Sequence, residues 1–137
     1  MDGDLLFEKA LLDKLVGDAF PSVVAVETDL KRVNEESMKV LMEGGEVRKL
    51  HKKIPVQDSG GEFIGMARFS EEWSKNIFEA LDRTMTDDVF HGCYYEDILN
   101  RVIPFSPPLG RVPTENLRWA EVDTPADLEE ASSFDAR

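Results

Sequence analysis

The sequence predicts an α/β fold: a mixed, mostly parallel sheet flanked by helices, with one β-hairpin. Three observations lead there. Short β-branched runs such as "SVVAVE", residues 22–27, alternate along the chain with helix-periodic segments. A Gly44-Gly45 pair divides the two strand-like runs of "KVLMEGGEVRKLHKKI". The length of 137 residues and a hydrophobic content of 42% suit one core and are too little for two. A single domain is therefore expected over residues 1–131, with a frayed tail at 132–137.

The elements follow in order. "LLFEKALLDKLV", residues 5–16, places Leu5, Leu12, Leu15 and Val16 at helix-like intervals, and Gly17 stops the helix. "SVVAVE" reads as a buried strand. Gly-Gly tolerates the positive φ angles of tight hairpin turns, which makes the Gly44-Gly45 segment a hairpin. "GEFIGMARF", residues 61–69, is a strand, and Gly65 in its interior marks a place where something approaches the backbone closely. Ser70 caps a helix carrying Trp73, Ile77 and Leu81, with Phe78 widening the apolar stripe. A further helix covers residues 94–103 and ends before Pro104. "PFSPPLGRVPTEN", with four of the seven prolines, reads as an extended loop. Last, Leu117 to Val122 is strand-like. Thr124 caps the helix after it, Pro125 suits its first turn, and Asp127 lies three residues beyond the cap.

Composition narrows the function. A formal charge of −12 argues against nucleic acid, since binding phosphates needs a basic face to displace counterions. An acidic site can instead hold a divalent cation. Cys93 is the only cysteine, which excludes an internal disulfide and gives no zinc cluster. No apolar run approaches the roughly 18 residues of a membrane span. The acidic start "MDGD" does not read as a signal peptide. A cytoplasmic protein with no membrane partner is the expectation.

Four constellations carry candidate chemistry. In "MDGDLLF", Asp2 and Asp4 flank a glycine and could ligate a hard cation through oxygen; an acidic chain terminus would look the same. "RKLHKKI" concentrates Arg48, Lys49, Lys52 and Lys53, which suits either a solvated strand or an anion such as phosphate. Glu62 stands three residues before Gly65, a carboxylate placed to orient a small polar ligand. "YYEDILN" combines the aromatic faces of Tyr94 and Tyr95 with Glu96 and Asp97, as ammonium sites often do. Acids also favour a helix N-terminus, so a capped helix start gives the same pattern.

The order of these motifs resembles the latter half of a sugar-phosphate-type nucleotidyltransferase, in particular the small cytidylyltransferases acting on phosphocholine, phosphonates or inositol phosphate. The resemblance runs from "DGDLLFEKALLDKL" through "EVRKLHKKI", "GEFIGMARFS" and "YYEDILN" to "WAEVDTPADLEEA", about residues 2–131. It implies a Rossmann-like fold that is incomplete, and transfer of a nucleoside monophosphate from a nucleoside triphosphate, CTP favoured, to a small phosphate or phosphonate acceptor. It also implies a magnesium ion held by Asp4 and Asp123, with Asp2 as a neighbour. Lys53, with Lys52 in reserve, matches the phosphate-approaching lysine. Glu62, Gly65, Tyr95, Glu96 and Asp97 match the acceptor pocket.

One departure is large. The G-x-G-x-R loop and following lysine, which bind the nucleotide in that family, match nothing here. The chain begins where the family is about 100 residues into its fold, for a domain of ordinary size. A buried strand without its neighbours leaves backbone groups unsatisfied, so the expected partners are a second copy of the chain or a complementing N-terminal half. Without that half the chain is expected to be inactive. The alternative is a non-catalytic α/β binding or assembly domain.

Overall fold

The computed structural model describes residues 1–85 and 93–132. The elements are β1 (Leu5–Phe7), α1 (Lys9–Gly17), β2 (Val23–Glu27), β3 (Lys39–Glu43), β4 (Glu46–His51), β5 (Glu62–Arg68), α2 (Glu71–Met85), α3 (Tyr95–Val102), β6 (Gly110–Pro113), β7 (Trp119–Glu121) and α4 (Pro125–Ala131). The main sheet has the order β4-β3-β5-β2-β6, and β1 pairs with β7 in a separate two-stranded ribbon.

The fold is mixed α/β, as expected, but the parallel share is smaller. β2 and β6 run parallel; β2–β5, β3–β5, β3–β4 and β1–β7 are all antiparallel. The reason lies in the connections. Only β3 and β4 are joined by a hairpin, and the one parallel pair, β2 and β6, is linked through the whole stretch between them, α2 and α3 included.

Strand β2 organises the core because its side chains alternate between two buried layers. Val24 and Val26 pack with Val40, Leu50, Phe63 and Trp73 beneath α2 and α3. Val23 and Ala25 pack with Leu5, Leu11, Leu15 and Ile64 beneath α1 and the ribbon. The hairpin turns on Gly44 and Gly45, both at positive φ (59° and 84°), which matches the two-residue turn.

Three expectations change. Leu5 to Phe7 is a strand rather than the first turn of a helix, so the helix begins four residues later. Its buried face then carries Leu11 and Leu15, while Leu12 and Val16 are exposed. The proline-rich segment contains β6, which the four prolines obscured. Gly110 and Thr114 donate N–H groups to Ser22 and Val26 of the β2 side, so Arg111 and Pro113 face outward. Pro113 has no N–H, and this blunts the outer edge of the sheet. Phe78 is exposed, because five residues beyond Trp73 it turns about 140° from the buried stripe. Ser70 does accept the Trp73 N–H, at 3.3 Å. Of the expected tail, residues 133–137 lie outside the described residues.

The other edge, β4, is closed by a side chain. Asn100 of α3 accepts the Leu50 N–H at 2.8 Å and donates to the Leu50 carbonyl at 2.7 Å, in the manner of a neighbouring strand. Asn100→Ala should therefore destabilise the protein by about 1–3 kcal/mol, since both backbone groups lose their partner. Denaturant unfolding will measure this loss, and the Leu50 amide will show selectively faster hydrogen exchange. A loss of stability without that selective exchange would argue against the edge-closing role.

Candidate functional site

A row of buried charge crosses the sheet at one end. Lys39 of β3 stands opposite Glu62 of β5, which stands opposite Glu27 of β2. Lys39 is fully buried, and its Nζ donates to the carbonyls of Asn34, Glu35 and Ser37 at 2.8–3.0 Å, which ties the 34–37 loop to the sheet. Glu27 is equally buried. It accepts the Asp29 N–H at 2.9 Å and the Trp119 indole N–H at 3.0 Å, and pairs with Arg32 at 2.6 Å. Burial disfavours its charge, but these partners outweigh it and hold the carboxyl below its usual range. The Arg32 guanidinium also lies over the Trp119 ring, 5.2 Å from its centre.

Glu62 has no such set of partners. Burial, and then the Glu27 charge, push its carboxyl up against the pull of Ser37 and Lys39.

The ribbon brings a second group of acids to the same region. Leu5 pairs with Glu121, and the Val122 N–H donates to the Asp4 carbonyl at 2.9 Å. Asp4 precedes β1 and Asp123 follows β7, so antiparallel pairing sets both at one end of the ribbon. Glu121 registers the result: desolvation, then the charges of Glu62, Asp123, Asp4 and Asp2, raise its carboxyl above the ordinary value. The turn into α4 is the expected cap. Asp127 accepts from the Thr124 N–H and hydroxyl, both at 2.8 Å, and from the Asp123 N–H at 3.2 Å. Glu121 also borders a groove of about 480 Å³ formed with Arg32, Asn116, Trp119 and Asp127.

A third cluster meets these acids at Gly65. Between Val24 and Val26 the register of β2 on β5 shifts, leaving extra residues of β5 around Gly65 in a bulge. Gly65 adopts φ +76°, and its carbonyl accepts the Asp2 N–H at 3.0 Å. A Cβ there would overlap the Asp2 carboxylate, so Asp2 is the group whose close approach this glycine permits. Burial, then the charges of Glu96 and Asp2, push the Tyr95 phenol well above its ordinary range. Next to it, Glu96 is 8% exposed and its Oε2 has no hydrogen-bond partner. Burial, with the charges of Asp2 and Asp97, pushes the Glu96 carboxyl up against the pull of Lys52.

The structure thus brings Asp2, Gly65, Tyr95 and Glu96 together, with Glu62, Glu121, Asp4 and Asp123 within electrostatic reach. Asp97 closes the N-terminus of α3, accepting the Tyr94 N–H at 3.0 Å. Of the two lysines, Lys52 faces the cluster, 5.4 Å from the centre of the Tyr94 ring. Lys53 is exposed, its backbone N–H donating to His51 Nδ1 at 2.9 Å. Among the described residues, no three His, Cys, Asp or Glu side chains gather closely enough to hold a metal ion by themselves. No helix of these residues is long and apolar enough to cross a membrane. Four participants are absent from the sequence reading: Glu27, Arg32, Trp119 and Glu121. Glu121 lies two residues before Asp123; of the other three, Arg32 reaches Glu27 from the loop that follows β2, and Trp119 reaches it only through the packing of the ribbon beside the main sheet.

No family model matches the sequence, and no curated protein matches it. Solved structures do. An inositol-1-phosphate CTP transferase from T. maritima superposes with a TM-score of 0.62 at 20% identity, covering 91% of this chain and 48% of its own. A glucose-1-phosphate thymidylyltransferase from Bacillus anthracis, in complex with sucrose, superposes with a TM-score of 0.64 at 14% identity, covering 96% and 51%. The chain has the fold of these nucleotidyltransferases over about half of their length.

The raised carboxyls set a pH dependence. A carboxyl whose folded-state value exceeds the ordinary 4.5 contributes stability that is full below 4.5 and is lost as pH rises through the folded value. Glu121→Gln removes one such group. The variant should melt higher than the parent at about pH 8 and equally at about pH 4, as read from thermal melts across pH. Equal melting at both ends would show that Glu121 is not held under charge repulsion.

Proposed function

We propose that this chain forms the cation- and acceptor-binding part of a nucleotidyltransferase, one that passes a nucleoside monophosphate, CTP being the favoured donor, to a small phosphate or phosphonate acceptor. The observation that carries this is that Asp4 and Asp123, far apart in sequence, flank the same end of the β1–β7 ribbon, near a Glu121 carboxyl that burial and nearby acidic charges push up. The fold shared with nucleotidyltransferases supports it.

Magnesium suits the donor set. It takes one or two carboxylates and completes its octahedron with water and substrate phosphates, so a two-aspartate half-site needs no third ligand from the protein. Asp4 and Asp123 would hold it; when bound, it screens phosphate charge and acts as a Lewis acid. In the reaction, an acceptor oxygen attacks the α-phosphorus of the triphosphate and pyrophosphate leaves. Lys52, with Lys53 behind it, brings positive charge to the acceptor phosphate. Glu62, Gly65, Tyr95, Glu96 and Asp97 line the acceptor side, where the unpaired Glu96 oxygen and the aromatic rings favour an aminoalkyl or choline head group.

Turnover in this reading needs nucleotide-binding residues of the G-x-G-x-R type, which the 137 residues do not contain. The second reading is a non-catalytic α/β binding or assembly domain. Incubated alone with magnesium, CTP and phosphocholine or 2-aminoethylphosphonate, the chain should release no pyrophosphate. With a loop-bearing partner it should, and Asp123→Asn should then lower the rate by about 100-fold or more, because several kcal/mol of charge stabilisation is lost. An unaffected rate would remove Asp123 from the site. Silence with every such partner would favour the binding domain.

A further inference from the structure

We propose that Glu27 and Arg32 are positioning residues that latch the β1–β7 ribbon to the main sheet through Trp119, and that this latch sets where Asp4 and Asp123 stand. Its bearing on the cation rests on the transferase reading; the hold on the ribbon does not.

The ribbon needs such a hold. β1 and β7 form a sheet of their own, three residue pairs long, and a two-stranded unit is marginal alone. Leu5, Phe7 and Trp119 press it onto the layer of Val23, Ala25 and Ile64. Apolar burial has no direction, so it holds a ribbon down without fixing where along the sheet it lies. Hydrogen bonds supply the direction. On the β1 side, the Asp2 N–H bonds the Gly65 carbonyl of β5 at 3.0 Å. On the β7 side, the Trp119 indole N–H bonds Glu27 of β2 at 3.0 Å.

The second bond is more than a single contact. Glu27 is the last residue of β2 and is fully buried, and the oxygen that accepts the indole N–H also meets Arg32 Nη1 at 2.6 Å. Its other oxygen accepts the Asp29 N–H at 2.9 Å. Arg32 is half-exposed and lies over the ring of the same Trp119, 5.2 Å from its centre. Trp119 is therefore gripped twice, at its N–H by the carboxylate and at its face by the guanidinium. A buried ion pair adds little stability over apolar side chains of the same volume, so stability alone does not account for a charge at this depth. What the pair supplies is a fixed direction for one indole. Trp119 opens β7, and two residues on, roughly 7 Å of strand, Glu121 pairs with Leu5. Asp4 lies one position and Asp123 two positions beyond that pair. Over so short a strand, a shift of Trp119 shifts both carboxylates.

The test uses the full chain. Amide hydrogen exchange and the Trp119 indole N–H are followed by NMR, and binding of Mn²⁺ alone by electron paramagnetic resonance. The Val122 N–H, which bonds the Asp4 carbonyl, reports the ribbon end; the Val40 N–H, which bonds the Gly61 carbonyl, reports the main sheet. Trp119→Phe keeps an aromatic ring and removes the indole donor. It should speed Val122 exchange about tenfold, the effect of one hydrogen bond to a charged group, and leave Val40 within about twofold. Mn²⁺ binding should weaken by about threefold or more, because its ligands lose their fixed placement. Arg32→Ala should shift the indole N–H resonance and speed Val122 likewise, and Arg32→Lys, which keeps the charge, should recover part of the loss. Since both side chains act on one carboxylate, Trp119→Phe combined with Arg32→Ala should speed Val122 by less than the product of the single effects.

If Val122 and Val40 exchange faster together, if neither responds, or if the two effects simply multiply, the latch is overturned. A Val122 response with Mn²⁺ affinity unchanged would overturn the link from the ribbon to the cation. If the parent chain binds no Mn²⁺, the cation site and the transferase reading fall, while the Val122 response still decides the latch.

Discussion

The antiparallel pairing of β1 with β7 is the constraint on which the site depends. It is a short ribbon, three residues on each side, yet it joins the first residues of the chain to the last strand. Because the two strands run in opposite directions, the residue before one and the residue after the other share an end. Asp4 and Asp123 flank the same end for that reason. The ribbon is in turn held down by Leu5, Phe7 and Trp119, which pack on the layer formed by Val23, Ala25, Ile64 and Met66. Burial of apolar surface fixes the ribbon, and the ribbon fixes the carboxylates.

Charge is then sorted by how completely it is partnered. Glu27 lies deepest and is the best satisfied, with a backbone N–H, an indole N–H and a guanidinium on its two oxygens. Lys39 is buried with three carbonyls around its ammonium. These two stabilise the framework, because a buried charge is tolerated only where hydrogen bonds replace water. Glu62, Glu96 and Glu121 lose hydration to burial, with like charges nearby and fewer donors, and their carboxyls rise in consequence. Perturbed titratable groups gather where ligands bind more often than elsewhere, and here Asp2 lies near both Glu96 and Glu121, and Glu62 near Glu121.

Much of this was legible in the residues. The hairpin, β2, β5, the capped helices and the Thr124-to-Asp127 cap follow from local chemistry: turn glycines, β-branched runs, and side chains that bond their own helix N-terminus. Gly65 was readable as a point of close approach. What approaches it was not, since Asp2 is 63 positions away and arrives only through the Gly65 bulge. β1 and β6 were missed because three or four residues carry too little periodicity to outweigh a neighbouring helix signal or a cluster of prolines. The parallel share of the sheet was overestimated because strand direction depends on which strands become neighbours.

The sequence by itself determined the local pieces and the types of chemical group available: oxygen ligands, a pair of lysines, an aromatic and acidic helix start, and no thiol cluster. The tertiary structure decided their company. It set the Asp2 carboxylate against Gly65, brought Lys52 over the Tyr94 ring, placed Asp97 on a helix end, and surrounded Glu27 with donors from the loop after β2 and from β7. The physical reason is that caps and turns are closed within about four residues, whereas register, burial and charge coupling join positions separated by most of the chain.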